Sequence, residues 1–418
     1  MPAMSPILRH LFPTGLILLA EPMTGVQSVA MTALVPAGAA CEPTEQQGLG
    51  AILHEMLFRG AGDLDARAHS DALDTLGVQR GANVQTHHLR LGATLLGDRL
   101  PDALPLLIDM LRRPRLDDSS FGPARDMAVQ AIDALEDEPQ QKLMVELRRA
   151  HLPAPIDRSG MGLRDHLLSI TPDQTRRFWQ RNFVPRGTIL AFAGKLDFNQ
   201  LRDQIAAMTA DWQTPADHTP LRLAGGTKCP SSSSASHVPA SSTQQHIGLA
   251  YTAVPETDPM SMTQRVAVAV LSGGMSGRLF TEVREKRGLC YTVFAAYQSI
   301  PPTASVFAYS GTTTERAAQT LDVLRNELIR LSDGVERDEF DRAIVGLKSR
   351  IVMQGESTSA RAAAIAGDQF VYGQPRTLDD LAAQVDAVTL DKLNAFVAQH
   401  RPTPQNMTLV NIGPSPLT

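Results

Sequence analysis

The two halves of this chain repeat one another at an offset of about 218 residues, too long for a solenoid repeat and right for a duplicated domain. Gln27 to Pro36 and Gln245 to Pro255 are both alternating, β-branched-rich runs that end at a proline, so both predict strands. Each half also closes in the same way. Thr171 caps a helix that leads to the apolar run Thr188 to Gly194, and Thr389 caps one that leads to Met407 to Gly413. Between these landmarks, apolar residues recur at helical spacing over Pro101 to Leu111 and Phe121 to Leu135. They do so again over Arg316 to Leu331 and Glu336 to Val352. Strands grouped with runs of helices predict an α+β architecture of two homologous domains, each a mainly antiparallel sheet with helices packed on one face. The expected domains are residues 1–225 and 244–418, joined by a Ser/Pro-rich linker over 226–243 that lacks a hydrophobic period.

Composition narrows the function by exclusion. The 418 residues are 43% hydrophobic and 20% charged with a formal net charge of −5, which offers no electrostatic footprint for nucleic acid or an anionic membrane. Cys41, Cys229 and Cys290 are isolated, so neither a disulfide framework nor a cysteine zinc site is expected. They point to a reducing, cytoplasmic setting, with the periplasm as the alternative if a leader precedes this sequence. Gly15 to Ala20 is too short for a signal-peptide core and runs into Glu21-Pro22, so a buried strand is expected there. No apolar run approaches the roughly 20 residues of a transmembrane helix.

Gly48-Leu-Gly-Ala-Ile-Leu-His-Glu-Met-Leu-Phe-Arg-Gly60 resembles the metal helix of the inverzincins, the pitrilysin, insulinase and mitochondrial-processing-peptidase superfamily. That helix begins Gly-Leu and carries H-x-x-E-H, in which two His at i and i+4 grip zinc and the Glu is general base to the bound water. The apolar stripe Leu49, Ile52, Leu53, Met56 and Leu57 is intact. The resemblance puts Ala51 at the first His, His54 at the Glu and Glu55 at the second His. The third ligand, a Glu on a later helix, falls on Ala131 within Arg125 to Ile132, ahead of Glu136-Asp-Glu-Pro139. Gly81-Ala82 stands where the family has Asn-Ala beside the bound peptide. A metal site rebuilt from His54, Glu55, His87 and His88 is the competing reading. In it, His87 and His88 are strand neighbours facing opposite sides.

The second half keeps the family's other signature. Gly273-Gly-Met-Ser-Gly-Arg-Leu-Phe-Thr-Glu-Val-Arg-Glu-Lys-Arg-Gly-Leu-Cys-Tyr291 contains the Arg and the Tyr seven positions on that, in active members, hold the substrate backbone and stabilise the developing oxyanion. Here they are Arg284 and Tyr291. The resemblance, closest to the short-chain bacterial type, implies the LuxS/MPP-like fold and a subunit that holds no cofactor itself. It implies a zinc-bearing homologous partner, a heterodimer enclosing a shared chamber, and peptide substrates hydrolysed with Arg284 and Tyr291 supplied in trans. The alternative is a purely structural subunit, like the core proteins of the respiratory cytochrome complex.

Overall fold

The structure is a computed structural model and describes residues 6–216, 218 and 234–417, so Cys229 and residues 226–233 of the expected linker lie outside it. The chain forms two compact units. The first takes Met1–Ala134, Arg158–Arg222 and Gln354–Thr377, and the second takes Leu135–Asp157, Leu223–Met353 and Leu378–Thr418.

The first unit holds β1 (Leu8–Leu11), β2 (Ile17–Pro22), β3 (Ser28–Val35), the short hairpin β4 (Gly60–Ala61) and β5 (Leu64–Asp65), β6 (Gln79–Val84), β7 (Leu89–Leu96) and β8 (Ile189–Gly194). Its six-stranded sheet runs β1-β2-β8-β3-β7-β6. Neighbours are antiparallel except β2 and β8. The second unit holds β9 (Ser234–Pro239), β10 (Gln244–Ala253), β11 (Cys290–Ile300), β12 (Thr303–Thr313) and β13 (Thr408–Gly413), in the order β11-β12-β10-β13-β9. Here too only one described pair, β13 with β9, is parallel.

Read from opposite ends, the five strands of the second sheet match β2-β8-β3-β7-β6 of the first, and β1 has no counterpart among the described strands. Thus β9 takes the place of β2, so the second repeat begins inside the segment whose composition predicts a linker. The reason for the misreading is physical. β9 is an edge strand and mostly exposed, so it is held by backbone pairing and needs no buried side-chain alternation. By contrast, the strand expected over Gly15 to Ala20 is present as β2, with Leu18, Leu19 and Ala20 fully buried.

In the first unit, helices Leu49–Met56, Leu100–Arg112 and Asp118–Asp133 cover one sheet face. Leu53, Leu107 and Ala124 share that core with Leu18, Met31 and Leu91. The opposite face is covered by one helix from the other half of the chain. Ile365 and Ala366 of Thr358–Tyr372 pack on Leu19, Leu34, Ile189 and Ala191. The exchange is reciprocal. Leu143 and Leu147 of helix Pro139–His151 pack in the second unit on Ala250, Phe307, Val410 and Ile412. Among the described residues no helix is long and apolar enough to cross a membrane.

Each exchanged helix carries a buried polar anchor. Arg361, 1% exposed, donates from Nε to Glu21 Oε2 at 2.9 Å. His151 is fully buried, with Nδ1 at 2.9 Å from Thr408 Oγ1 and Nε2 at 3.1 Å from Ser305 Oγ. Burial pushes the His151 pKa down to about 4. The unfolded chain therefore takes up a proton that the folded chain rejects. The residue's contribution is intact above about pH 6.5 and is lost as pH falls through 4. The stability difference between the protein and His151→Gln, from urea titrations, should shrink by up to about 3 kcal/mol between pH 7 and pH 4. A difference that stays constant would show that the folded ring takes up its proton as readily as the unfolded one, so that burial does not hold it neutral.

Candidate functional site

Helix Leu49–Met56 starts at Gly48, whose φ of 116° lies in the left-handed region. A Cβ there would also meet Leu167 Cδ2 at 2.5 Å, so only glycine serves. The helix N-terminus is closed by a residue to which sequence reasoning gave no role. Glu42, 3% exposed, accepts from the amides of Gly48 and Gly50, both at 2.7 Å. Burial raises its pKa to about 7, opposed by those two amides. The signal available in the sequence is a single acidic residue six positions ahead of the glycine that opens the helix. Arg158 in turn donates to the Glu42 carbonyl.

The apolar stripe is buried as expected, which leaves the remaining face of the helix to a cavity of about 360 Å³. Ala51, His54, Glu55 and Ala131 all line it, together with Ala82 and Asn83 of β6. The four positions read off the sequence are thus brought to one place. Two of them carry no donor atom. His54 Nδ1 stands 3.6 Å from Glu55 Oε1, so the two side chains that remain face each other. Catalytic zinc takes three protein ligands and an open position. Among the described residues no group of three or more His, Cys, Asp or Glu is placed to hold a metal ion. The donor set therefore does not fit a catalytic zinc.

His87 and His88 do not join it. They lie in the turn between β6 and β7, not on a strand, and do not face opposite sides. Freed from strand alternation, both rings pack on Phe370, at 5.2 and 4.4 Å between centroids. Burial pushes the His88 pKa down to about 3, which keeps that ring neutral.

In the second unit the signature divides its charges between scaffold and surface. Arg278, 9% exposed, forms a two-pronged pair with Glu339 at 2.7 Å on each arm and also donates to the Gly334 carbonyl. Glu282 accepts from Arg287 and Lys286, each at 2.7 Å. These partners, Arg287 first, hold its carboxyl below the usual range. Arg284 sits in a π-helical turn, Phe280–Glu285, a wide geometry often found at functional sites. Its guanidinium lies between two rings, 4.7 Å from the centroid of Phe280 and 4.9 Å from that of Tyr291. It also donates to the Tyr291 carbonyl at 2.9 Å. Tyr291, the second residue of β11, falls at the register shift between Cys290 and Thr292 and is 81% exposed. Phe280, the platform under the guanidinium, was not singled out from the sequence, although it lies within the quoted signature.

Two family models match separate parts of the chain. A family model described as "Insulinase (Peptidase family M16)" matches residues 18–157, the half with the altered metal helix. A model described as "Peptidase M16 inactive domain" matches residues 169–347, the region with Arg284 and Tyr291. An uncharacterized zinc protease of Streptomyces coelicolor is 27% identical over 93% of this chain and 85% of its own length. One from Bacillus subtilis is 24% identical over 94% and 95%. Among solved structures, a Helicobacter pylori protease superposes with a TM-score of 0.88 at 16% identity, covering 98% of this chain and all of that one. A Pseudomonas fluorescens peptidase M16 inactive domain gives 0.85 at 19% identity, covering 98% of both chains. A chain of complex III2 from Candida albicans gives 0.82 at 15% identity, covering 98% of this chain and 96% of its own. At these identities the structural likenesses establish the fold.

Proposed function

The chain belongs to peptidase family M16, the insulinase family, and from that premise we propose that it is the metal-free subunit of a two-subunit zinc metallopeptidase. One contrast carries the reading. The cavity of the metal helix offers two donors among four ligand-and-base positions, while Arg284 and Tyr291 are assembled and held ready. In this reading the zinc and the general base belong to a homologous partner. This chain contributes the phenol of Tyr291 as a hydrogen-bond donor to the substrate oxygen that becomes negative. The Arg284 charge stabilises the same oxygen and grips the peptide. The Arg284 hydrogen bond to the Tyr291 carbonyl fixes the backbone from which the phenol projects.

A second reading, a structural subunit without a part in catalysis, is supported by the fold shared with the complex III2 chain. Reconstitution separates the two. The purified chain should hold no stoichiometric zinc and cleave no peptide. A zinc-bearing homologue co-purified from the same host should gain peptidase activity on mixing, with a sharp optimum at equal molar amounts. A homologue that works equally well alone would leave this chain without a catalytic part.

A further inference from the structure

On the sheet face opposite the helices Leu49–Met56 and Leu100–Arg112, the first unit holds a second cavity of about 360 Å³, within the range of small-ligand sites. Three rungs of the sheet build it. The register aligns Leu34, Arg90 and Asn83 across β3, β7 and β6. It aligns Thr32, Gly92 and Gly81 in the next rung of the same face, and Ala30, Thr94 and Gln79 in the one after. The middle rung is therefore bare toward the edge strand β6. It leaves a trough between an Arg90/Asn83 wall and a Gln79/Thr94 wall, with about 13 Å between the backbones of the two walls. Ser359 of helix Thr358–Tyr372 also lines it.

The backbone does not require these glycines. Neither has a positive φ. A Cβ on Gly81 would meet nothing within 4 Å, and one on Gly92 only ordinary contacts at 3.8 and 4.0 Å. Paired glycines weaken a strand interior, and in that setting they mark close approach of a ligand or another chain. The charge is uneven as well. Arg80 is engaged by Asp74 at 2.8 Å and Ser70 at 2.8 Å. Arg90 Nε is buried with no protein partner. No acidic side chain is among the described residues lining the trough. The remaining polar lining groups, Asn83, Gln79, Thr94, Thr32 and Ser359, are neutral donors and acceptors.

We infer that this trough binds a carboxylate-bearing ligand, with the carboxylate on Arg90 and the attached chain lying over Gly92 and Gly81. A single uncompensated guanidinium matches a planar monoanion better than a phosphate dianion, because its fork pairs two parallel N–H groups with the two carboxylate oxygens. The carboxylate can come from the end of a short peptide or from a free organic acid, and titration calorimetry on the full chain distinguishes them. The probes are trialanine, trialanine amide and succinate. Saturable binding of trialanine, weakened at least tenfold by amidation, assigns the peptide end. Succinate binding at least as tight as trialanine assigns free acids instead. In either case Arg90→Gln should weaken binding at least tenfold. Gly81→Val should block it while leaving the melting temperature unchanged or higher, since valine suits a strand and its side chain enters open space. No saturable binding of either acid overturns the assignment. So does unchanged binding in Arg90→Gln, whatever Gly81→Val does.

Discussion

In the reconstituted two-subunit peptidase, Tyr291→Phe in this chain lowers kcat by roughly 100- to 1,000-fold, the usual cost of one oxyanion donor, with little change in KM. The substitution removes one hydroxyl and keeps the ring. The contact between the Arg284 guanidinium and the aromatic face at 4.9 Å therefore survives, as does the hydrogen bond to the residue 291 carbonyl. Because Tyr291 is 81% exposed, no buried hydrogen bond is broken and the fold has little reason to respond. Arg284→Ala should act differently. It removes a charge that grips the ground-state peptide, and it also releases Tyr291 from its stack, so KM rises as kcat falls. Size-exclusion chromatography of both variants with the partner should show an unchanged complex. Normal turnover in the double variant, with the complex intact, would reduce this chain to scaffold.

Much of this was legible because the relevant signals are local. Ala51, His54 and Glu55 are fixed by helical register between Gly48 and Phe58-Arg-Gly60, and Ala131 by its distance from Pro139. All four come together around one cavity. Arg284 and Tyr291 are seven residues apart and meet through a single turn and a strand start. What stayed hidden depends on long-range pairing. The apolar stripes of Pro139–His151 and Thr358–Tyr372 announce amphipathic helices, but periodicity does not say which sheet each covers. Each covers the sheet of the other half. β9 was hidden for the opposite reason, since an edge strand needs no apolar alternation. The carboxylate trough depends on Gly81 standing across from Gly92, a register that no single strand reveals.

The reciprocal exchange of helices has its own expected result: Arg361→Ala destabilises the first unit by about 3–5 kcal/mol, and Glu21→Ala does nearly the same. Glu21 and Arg361 are 5% and 1% exposed, and the guanidinium reaches the carboxylate at 2.9 Å from Nε and 2.7 Å from Nη2. Burying both charges costs much of what their attraction returns, so the intact pair adds little net stability. Removing one partner leaves the other buried and unpaired, and that is the source of the loss. The same reasoning predicts that Arg361→Met with Glu21→Leu, which removes both charges and keeps apolar volume, recovers most of the loss. The helix that carries Arg361 also covers Leu19, Leu34 and Ile189 through Ile365 and Ala366. Its loosening should therefore appear first as protease cleavage within residues 354–377, at temperatures where the wild-type chain resists. Urea titrations of the two single variants and the double variant close the cycle. If the double variant is as unstable as the singles, the loss reflects packing around these side chains and not an uncompensated charge.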